Sequence, residues 1–375
     1  MKQVRNVSAL LLLAALLLGA SPVWASGGGG EPGEVDVKEV VFGHIKDSYE
    51  WHITSWGDTD IIIPLPIIIY SNLSGWHIFS STTLEHHHGS YEGLSIAPEG
   101  SRYEGKLVEY DAEGNMVRPW DFSITKVVLA LLINSALVII LILTTARWYR
   151  RHPDGKAAPG GFVGLMEMLI MMVNDDIIKA CVGPNYRKFA PYLLTAFFFI
   201  FTNNLMGLLP IFPGGANVTG NIAVTFCLAL FSFIAINLFG TKHYWKDIFW
   251  GDVPWWLKAP LPIMPLIEFF GIWTKPIALM IRLFANMLAG HMAMLVLTCL
   301  VFISASLGAA MNTGLTLASV IFNIFMNCLE LLVAFIQAYV FTMLSSVFIG
   351  LAQAGGHHEE HHEVAAEAVP GQAAQ

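Results

Sequence analysis

The feature that most constrains this sequence is its last long apolar run, residues 315–352. A single helix of about 38 residues would be ~57 Å long at 1.5 Å per residue, whereas the hydrocarbon core of a bilayer is ~30 Å thick. Such a helix must be strongly tilted, project into water, or do both. The composition supports a bilayer setting, because 55% of the residues are hydrophobic and 13% are charged, against a usual charged share of ~25%. An ordinary soluble domain is therefore excluded.

Other apolar runs predict further membrane helices. The run from Val127 to Thr144 is long enough to span, and the basic residues that follow it, Arg147, Arg150 and Arg151, mark its cytoplasmic end. Further spans are predicted at 189–209, 221–240 and 266–304, and a shorter Met-rich run at 162–173 suits a helix lying along the interface. The sequence thus predicts an all-α polytopic membrane protein with about five transmembrane helices plus an interfacial helix, the last two spans being long and tilted.

The first 122 residues differ in texture from the rest. A basic start and a short apolar run, followed by small residues, predict that residues 1–25 are a signal peptide cleaved after Ala25. Residues 26–122 are polar, aromatic-rich and punctuated by turns, which predicts a small, mainly β extracytoplasmic domain. Within it, 106–110 and 116–118 flank the turn-like DAEGN and predict a hairpin. The predicted order continues with a transmembrane ion-channel domain at 123–352 and a cytoplasmic His/Glu-rich tail at 353–375.

Two histidine-rich segments leave a membrane metalloprotein open as an alternative. Imidazoles are good metal ligands, but the adjacent histidines at 86–88 cannot all face one ion in a regular strand, so a solvated loop is favoured. Histidines four residues apart within 357–362 could clamp an ion if helical, although the preceding Gly355 and Gly356 favour a solvated terminus. No cofactor and no metal site is predicted. The net charge of −8 comes largely from the chain ends, so nucleic acid is not a predicted partner.

Arg282 lies in the middle of the apolar stretch Lys275–His291, within the helical region 266–304 that Pro276 and Gly290 are predicted to interrupt. A guanidinium stays protonated in proteins, and at the centre of a membrane helix it costs ~2.5 to 3.5 kcal/mol on insertion scales. A charge kept at that cost is a functional candidate by default, with a purely structural role as the alternative.

The last two helices are predicted to form an antiparallel hairpin around a turn at 308–314. Counting outward from this turn pairs Arg282 with Gln337 and His291 with Glu330, so each pair should sit at a common depth. At ~100° per residue, Glu330 and Gln337 share one helix face, whereas His291 lies about 180° around its helix from Arg282. The arginine and the histidine are therefore predicted to face different surroundings.

Titratable side chains fall on both sides of the arginine. Asn286 is on the side of Arg282, and Glu268 is near that face but ~21 Å closer to the cytoplasm. His291 and Glu330 on the outer side and Glu268 on the inner side can carry a proton, and they are split by a group that cannot release one. This suits a proton path broken in the middle. A neutralised structural pair and an interfacial glutamate are the structural alternatives, and an ion-coupled secondary transporter is the functional one, although no repeated halves are found.

Over roughly residues 125–352 the sequence resembles subunit a of the rotary (F-type) ATP synthases, the stator channel beside the c-ring. The resemblance is carried by TNNLMGLLPIFP, GNIAVTFCLALF, PLIEFFGIWTKPIALMIRLFANMLAGH and ELLVAFIQAYVF, in the family's order and spacing. It implies a non-catalytic, proton-translocating subunit of a bacterial inner membrane, with no cofactor. The implied partners are the c-ring of proteolipids, the peripheral-stalk subunit b, the remainder of the synthase, protons and membrane lipid.

The same resemblance implies a role for each polar residue of the last two helices. The implied set is Arg282 of RLFAN as the essential fixed charge facing the c-ring, His291 and Glu330 in the outer half-channel, Gln337 and Asn286 as polar neighbours, and Glu268 in the inner half-channel. Many bacterial members carry the acid first and the histidine second; the order here is exchanged, as in mitochondrial members, which leaves the pair chemically intact. Some members have an acidic residue where this chain has Gly207, so that position is not predicted to belong to the channel. Proton versus sodium, the ring size and the role of the β domain stay open.

Overall fold

The structure is a computed structural model that describes residues 46–353. Within that range the described chain omits 57–58, 87–88, 99, 112, 154–157, 210–211, 213, 251–262 and 305–308. The predicted signal peptide and most of the predicted tail lie outside the described residues. The chain divides into two compact units. The described parts of the first are 46–135, 205–218 and 289–330, and those of the second are 136–204, 219–288 and 331–353.

The described chain is mainly β up to residue 121 and forms three antiparallel sheets. The strands are β1 (Glu50–Trp56), β2 (Thr59–Pro64), β3 (Pro66–Ser71), β4 (Gly75–Ser80), β5 (Ser90–Tyr91), β6 (Leu94–Ile96), β7 (Leu107–Tyr110), β8 (Met116–Val117) and β9 (Trp120–Asp121), with helix α1 (Ser81–His86) after β4. The sheet orders are β1-β2, β4-β3-β9 and β5-β6-β7-β8. The predicted hairpin is confirmed, because Tyr110 pairs with Met116 across the turn. The mainly β character is confirmed, while the extracytoplasmic location stays a prediction.

Strand alternation explains how this region forms its own core. Side chains of a strand alternate between faces, so β3 directs Ile67 and Ile69 inward, where both are fully buried. Leu94 and Leu107 of the four-stranded sheet belong to the same buried cluster. Tyr49 also belongs to the cluster, with Leu84, and donates a 2.6 Å hydrogen bond to Asp121. Burial, followed by the hydrogen bond and charge of Asp121, raises the pKa of Tyr49.

From Lys126 onward the described chain is helical. The helices are α2 (Lys126–Arg151), α3 (Gly161–Met171), a π-helical segment (Met172–Lys179), α4 (Ala180–Val182), α5 (Tyr186–Leu208), α6 (Ile222–Leu238), α7 (Lys242–Trp250), α8 (Ile263–Ser304) and α9 (Ala309–Gln353). Four stretches are long and apolar enough to cross a membrane: Lys126–Arg151, Tyr186–Leu208, Leu266–Val301 and Asn312–Gln353. The predicted span at 221–240 is present as α6, which is apolar but has 17 residues, fewer than the ~20 of a typical span. The chain is therefore a polytopic, mostly helical membrane protein.

The second unit is packed around α5. Leu193, Phe197 and Ile200 recur at helical spacing on one side of α5 and are fully buried. Leu279 of α8 and Phe341 of α9 belong to the same cluster. The cluster also buries apolar residues of the segment predicted to lie along the interface, namely Met166, Val173, Ile177 and Ile178. That segment therefore packs one side against other helices of its unit.

The antiparallel course of α8 and α9 is confirmed within each unit separately. In the first unit, Asn323 Nδ2 donates to Thr298 Oγ1 at 2.9 Å. In the second, the Lys275 ammonium lies 5.4 Å from the centre of the Phe348 ring. Within the first unit, the later Glu330 of α9 contacts the earlier His291 of α8, which gives the antiparallel order there. Within the second unit, the early Lys275 of α8 lies beside the late Phe348 of α9, as the same order requires.

Two boundary predictions for this hairpin are wrong. Pro276 and Gly290 do not interrupt α8, which is continuous from Ile263 to Ser304. Proline and glycine are tolerated in membrane helices, because neighbouring groups compensate for the weakened backbone bonding. The turn predicted at 308–314 is also wrong at its end, since α9 begins at Ala309 and Gly314 is already helical. As a result α9 has 45 residues, a length of ~67 Å at 1.5 Å per residue.

Candidate functional site

An imidazole–carboxylate pair joins α8 to α9 in the first unit. His291 Nδ1 lies 2.7 Å from Glu330 Oε1, and the two side chains are 13% and 3% exposed. The predicted pairing of these residues is therefore present. The second oxygen, Glu330 Oε2, is buried and has no hydrogen-bond partner among the described residues. Because a carboxylate oxygen can accept a proton, this atom leaves the pair with unused capacity for one.

Two glycines make room for this pair. A Cβ atom added at Gly290 would lie 3.1 Å from Glu330 Oε1, so the carboxylate rests directly against the backbone of α8. A Cβ atom added at Gly207 of α5 would lie 3.8 Å from His291 Cε1. Position 207, which was not predicted to belong to the channel, thus lies beside the histidine. The closeness of Gly207 to His291 depends on how the helices pack, and a glycine in the sequence does not indicate it.

Helix α9 carries a stripe of polar residues that the sequence analysis did not identify. It consists of Asn312, Thr316, Ser319, Asn323 and Asn327, which lead to Glu330 at spacings of three or four residues and so share one helix face. Its members bond along and across the hairpin: Ser319 Oγ donates to the Leu297 carbonyl, and Asn327 Nδ2 to the Asn323 carbonyl at 2.9 Å. The stripe could have been recognised in the sequence, because small polar residues recur every three or four positions in an otherwise apolar helix.

Arg282 belongs to the second unit and is exposed on the surface of the chain. Ala278 and Asn286, one turn before and after it, are exposed on the same side, whereas Leu283 and Met287 in the adjacent row are buried. Arg282 forms no hydrogen bond or ion pair with any residue that the structure describes. A permanent positive charge on a membrane helix is thus left available to a group outside the chain.

A groove lies beside the arginine. It is lined by Thr274, Lys275, Ala278, Leu279 and Arg282 of α8 and by Leu344 and Phe348 of α9. Gln337 is buried, and no hydrogen bond joins it to Arg282 in the described part of the chain. Side chains lean toward the amino end of their helix, so a long arginine on α8 reaches toward later residues of the antiparallel α9. This lean explains why Leu344 and Phe348 line the groove.

Glu268 is half-buried on α8 and has neighbours that the sequence did not predict. Burial raises the pKa of Tyr244 on α7, and the charge of Glu268 raises it further. The Tyr244 hydroxyl donates to Asn237 Oδ1 at 3.4 Å. Tyr244 is therefore near enough to Glu268 for its hydroxyl to be affected by that charge, and it joins α7 to Asn237 of α6.

Another polar contact fixes α9 from the side of α5. Asn204 of the TNNLMG stretch is fully buried, and its Nδ2 donates to the Ala334 carbonyl at 3.3 Å. Thr219 donates to Asn204 Oδ1 at 2.6 Å, which holds the amide in this orientation. The Asn204 amide thus anchors α9 between Glu330 and Gln337.

Metal binding has no support in the part of the chain that is described. Within it, no group of three or more His, Cys, Asp or Glu side chains is placed to hold an ion. The histidines at 357–362 and two of those at 86–88 fall outside it.

Comparison with known proteins connects this arrangement to a family. The family model described as ATP synthase A chain matches residues 130–350, more than half of the chain, and a domain of unknown function, DUF8433, matches residues 40–122. ATP synthase subunit a of Chlorobium phaeobacteroides is 42% identical over 276 residues, covering 70% of this chain and 76% of that protein. The protein of the same name from Pelodictyon phaeoclathratiforme is 45% identical over 248 residues, covering 64% and 68%. ATP synthase subunit a 2 of Prosthecochloris aestuarii is 38% identical over 294 residues, covering 77% and 84%. The chain therefore belongs to the ATP synthase subunit a family.

Proposed function

We propose that this chain is the stator subunit a of an ATP synthase membrane sector and that it provides two offset half-channels to a c-ring. The observation that carries the proposal is Arg282, an exposed arginine on a membrane helix without an ionic partner among the described residues. A charge that costs ~2.5 to 3.5 kcal/mol to insert is retained when a partner uses it. A carboxylate on a rotating ring is such a partner, because it needs a fixed positive charge at one point of each turn.

The arginine performs two tasks in this mechanism. It attracts the ionised ring carboxylate and lowers the pKa of that carboxylate, which favours release of its proton. Because the guanidinium of Arg282 does not give up its own proton, it also blocks direct leakage between the half-channels. Each elementary charge that crosses 100 mV gains ~2.3 kcal/mol, which sets the scale of work per ring step.

The outer half-channel is built on the pair of His291 and Glu330. A proton enters along the polar stripe of α9, is passed between the imidazole and the carboxylate, and reaches the ring. The unpartnered Glu330 Oε2 supports this role, since an acceptor site remains open while Oε1 is held by the histidine. Gln337 and Asn286 act as polar neighbours of the arginine.

The inner half-channel is built on Glu268. A proton released at Arg282 leaves toward the cytoplasm past this glutamate and near the hydrogen-bonded pair of Tyr244 and Asn237. Their contact and the charge of Glu268 felt at the Tyr244 hydroxyl support the assignment.

The proposed membrane topology is based on the positively charged residues at the end of α2, which mark its cytoplasmic end. The β domain is extracytoplasmic, the tail after Gln353 is cytoplasmic, and α6 serves as a short fifth span. The proposed division is a signal peptide at 1–25, the β domain at 26–122, the channel at 123–352 and the tail at 353–375. Peripheral-stalk subunit b and the c-ring are the proposed partners, in a bacterial inner membrane.

Replacing Arg282 with Ala tests the proposal directly. Proton-driven ATP synthesis by inverted vesicles carrying the assembled variant should be abolished, because the fixed charge is lost. Arg147→Ala, which removes an exposed arginine near the end of α2, is the matched control and should retain synthesis. Coupled synthesis that survives in Arg282→Ala vesicles would contradict the assignment.

A further inference from the structure

The three-stranded sheet of the β domain exposes an apolar face that the channel does not use. This face, called here the aromatic face, comprises Ile68, Tyr70, Trp76, Ile78, Trp120 and Phe122. Four of these side chains are between 58% and 73% exposed, namely Trp76 at 62%, Ile78 at 73%, Trp120 at 66% and Phe122 at 58%. The opposite face of β3 carries the fully buried Ile67 and Ile69, so exposure here is a property of one face only.

The aromatic face is ordered in two rows. In one row Ile68 pairs with Ile78, and the Phe122 amide donates to the Ile68 carbonyl at 2.9 Å. In the other row Tyr70 pairs with both Trp76 and Trp120, and the Tyr70 and Trp76 rings are 5.1 Å apart. The rows are two residues apart along β3, or ~6.6 Å at ~3.3 Å per residue. One row is thus aliphatic and phenyl, and the other carries the indole N–H and phenol O–H groups.

This face is fastened to the first membrane helix. The Ile124 amide donates to the Pro66 carbonyl at 3.2 Å, and the Lys126 amide donates to the Ser48 carbonyl at 2.9 Å. The Val127 amide donates to Asp47 Oδ1 at 3.1 Å. Helix α2 begins at Lys126 and is a candidate membrane span, so the sheet is held at the point where the chain enters the bilayer. The aliphatic row is the one nearer to α2 along the strands.

We propose that the aromatic face contacts the lipid of the same leaflet that α2 enters, with its strands inclined to the membrane surface so that the aliphatic row is toward the acyl chains and the Trp/Tyr row is at the headgroups. The headgroup layer is ~5–8 Å thick on each side of the hydrocarbon core, which matches the separation of the rows. Tryptophan and tyrosine prefer this layer, because one end of each ring is apolar and the other can bond to water. The domain of unknown function is thereby a membrane-surface domain, independently of the channel mechanism proposed above.

Depth measurement by spin labelling tests this proposal in the assembled synthase. Ile78→Cys, Trp120→Cys and, as a control, Tyr110→Cys are each made in a chain whose Cys181, Cys227, Cys299 and Cys328 are replaced by alanine. Tyr110 is 47% exposed on β7, in another sheet of the same domain. The labelled synthase is reconstituted into phosphatidylethanolamine–phosphatidylglycerol vesicles. At each nitroxide, the collision rate with oxygen, which concentrates in the bilayer, is divided by the collision rate with a water-soluble nickel chelate. The oxygen-to-nickel ratio should be severalfold higher at residue 78 than at residue 110, with residue 120 between them.

Every other result would overturn the proposal. A ratio at residues 78 and 120 equal to that at 110 means that the face is in water, and low collision with both reagents means that a protein covers it. A second measurement preserves the ring at each site: Trp76→Phe combined with Trp120→Phe should reduce the tryptophan emission that brominated phospholipids quench. An unchanged quenched emission would contradict membrane contact even if a cysteine variant failed to fold.

Discussion

At the scale of single residues, the pair of His291 and Glu330 shows how a membrane helix keeps a carboxylate. Glu330 is 3% exposed, yet one oxygen is held by the imidazole and the other remains unpartnered within the described chain. Gly290 permits this placement, because a Cβ atom there would press on Glu330 Oε1 at 3.1 Å. A buried, half-satisfied carboxylate is costly. Its retention is consistent with proton transfer.

Replacing Glu330 with Gln should slow proton uptake from the outer side. Glutamine preserves the size of the side chain but cannot bind and release a proton, so ATP synthesis driven by a proton gradient should fall at least ~10-fold. The measurement is the rate of synthesis in reconstituted vesicles at fixed driving force. An unchanged rate would remove Glu330 from the proton path.

An exchange of the two residues provides the matched control. The double variant His291→Glu with Glu330→His restores one imidazole and one carboxylate across the same 2.7 Å contact. It should regain a measurable part of the lost rate, because proton transfer needs the pair rather than its order. A double variant as slow as Glu330→Gln would mean that the pair is structural.

At the scale of elements, the spacing of polar residues predicted which helix faces carry the functional side chains, but not which residues of other helices pack beside them. The sequence placed Asn286 on the side of Arg282, and both are exposed on α8. It could not reveal that Arg282 has no ionic partner among the described residues, or that Leu344 and Phe348 line its groove. Those features depend on the lean of long side chains and on the register between two helices, which no single helix contains.

Close helix packing gives a prediction at the same scale. A Cβ atom at Gly350 of α9 would lie 2.1 Å from the Cys181 carbonyl oxygen, which cannot move without its backbone. Gly350→Ala should therefore displace α9 or the segment around Cys181, and overpacking of this kind costs ~1–3 kcal/mol. A lower midpoint of thermal unfolding of the purified chain in detergent is the expected result.

Gly314→Ala on the same helix is the matched control. No described atom lies within 4 Å of a Cβ atom at that position. Alanine in a helix interior is favoured over glycine by ~0.5–1 kcal/mol, so the midpoint should stay the same or rise. Equal loss of stability in both variants would show that close approach at Gly350 is not the cause.

At the scale of the whole molecule, the chain joins a helical membrane part to a β domain that matches a domain of unknown function. If the helical part is a stator, the full chain should copurify with an oligomeric small proteolipid when extracted from its native membranes in mild detergent. The Arg282→Ala chain should copurify equally well, since in the proposed mechanism the fixed charge serves coupling and not attachment. Isolation of the chain without any proteolipid would favour the transporter or metalloprotein alternative.

The class of the molecule, the polar residues of its last two helices and the family resemblance can all be inferred from the amino-acid sequence. Apolar run length and the cost of a membrane charge are local properties, so the order of residues is enough to reveal them. The tertiary structure was needed to show that Gly207 lies beside His291, that the charge of Glu268 reaches Tyr244, and that one sheet face of the β domain is apolar and exposed. These are contacts or exposures between elements far apart in the chain, and they are set by packing that local periodicity does not encode.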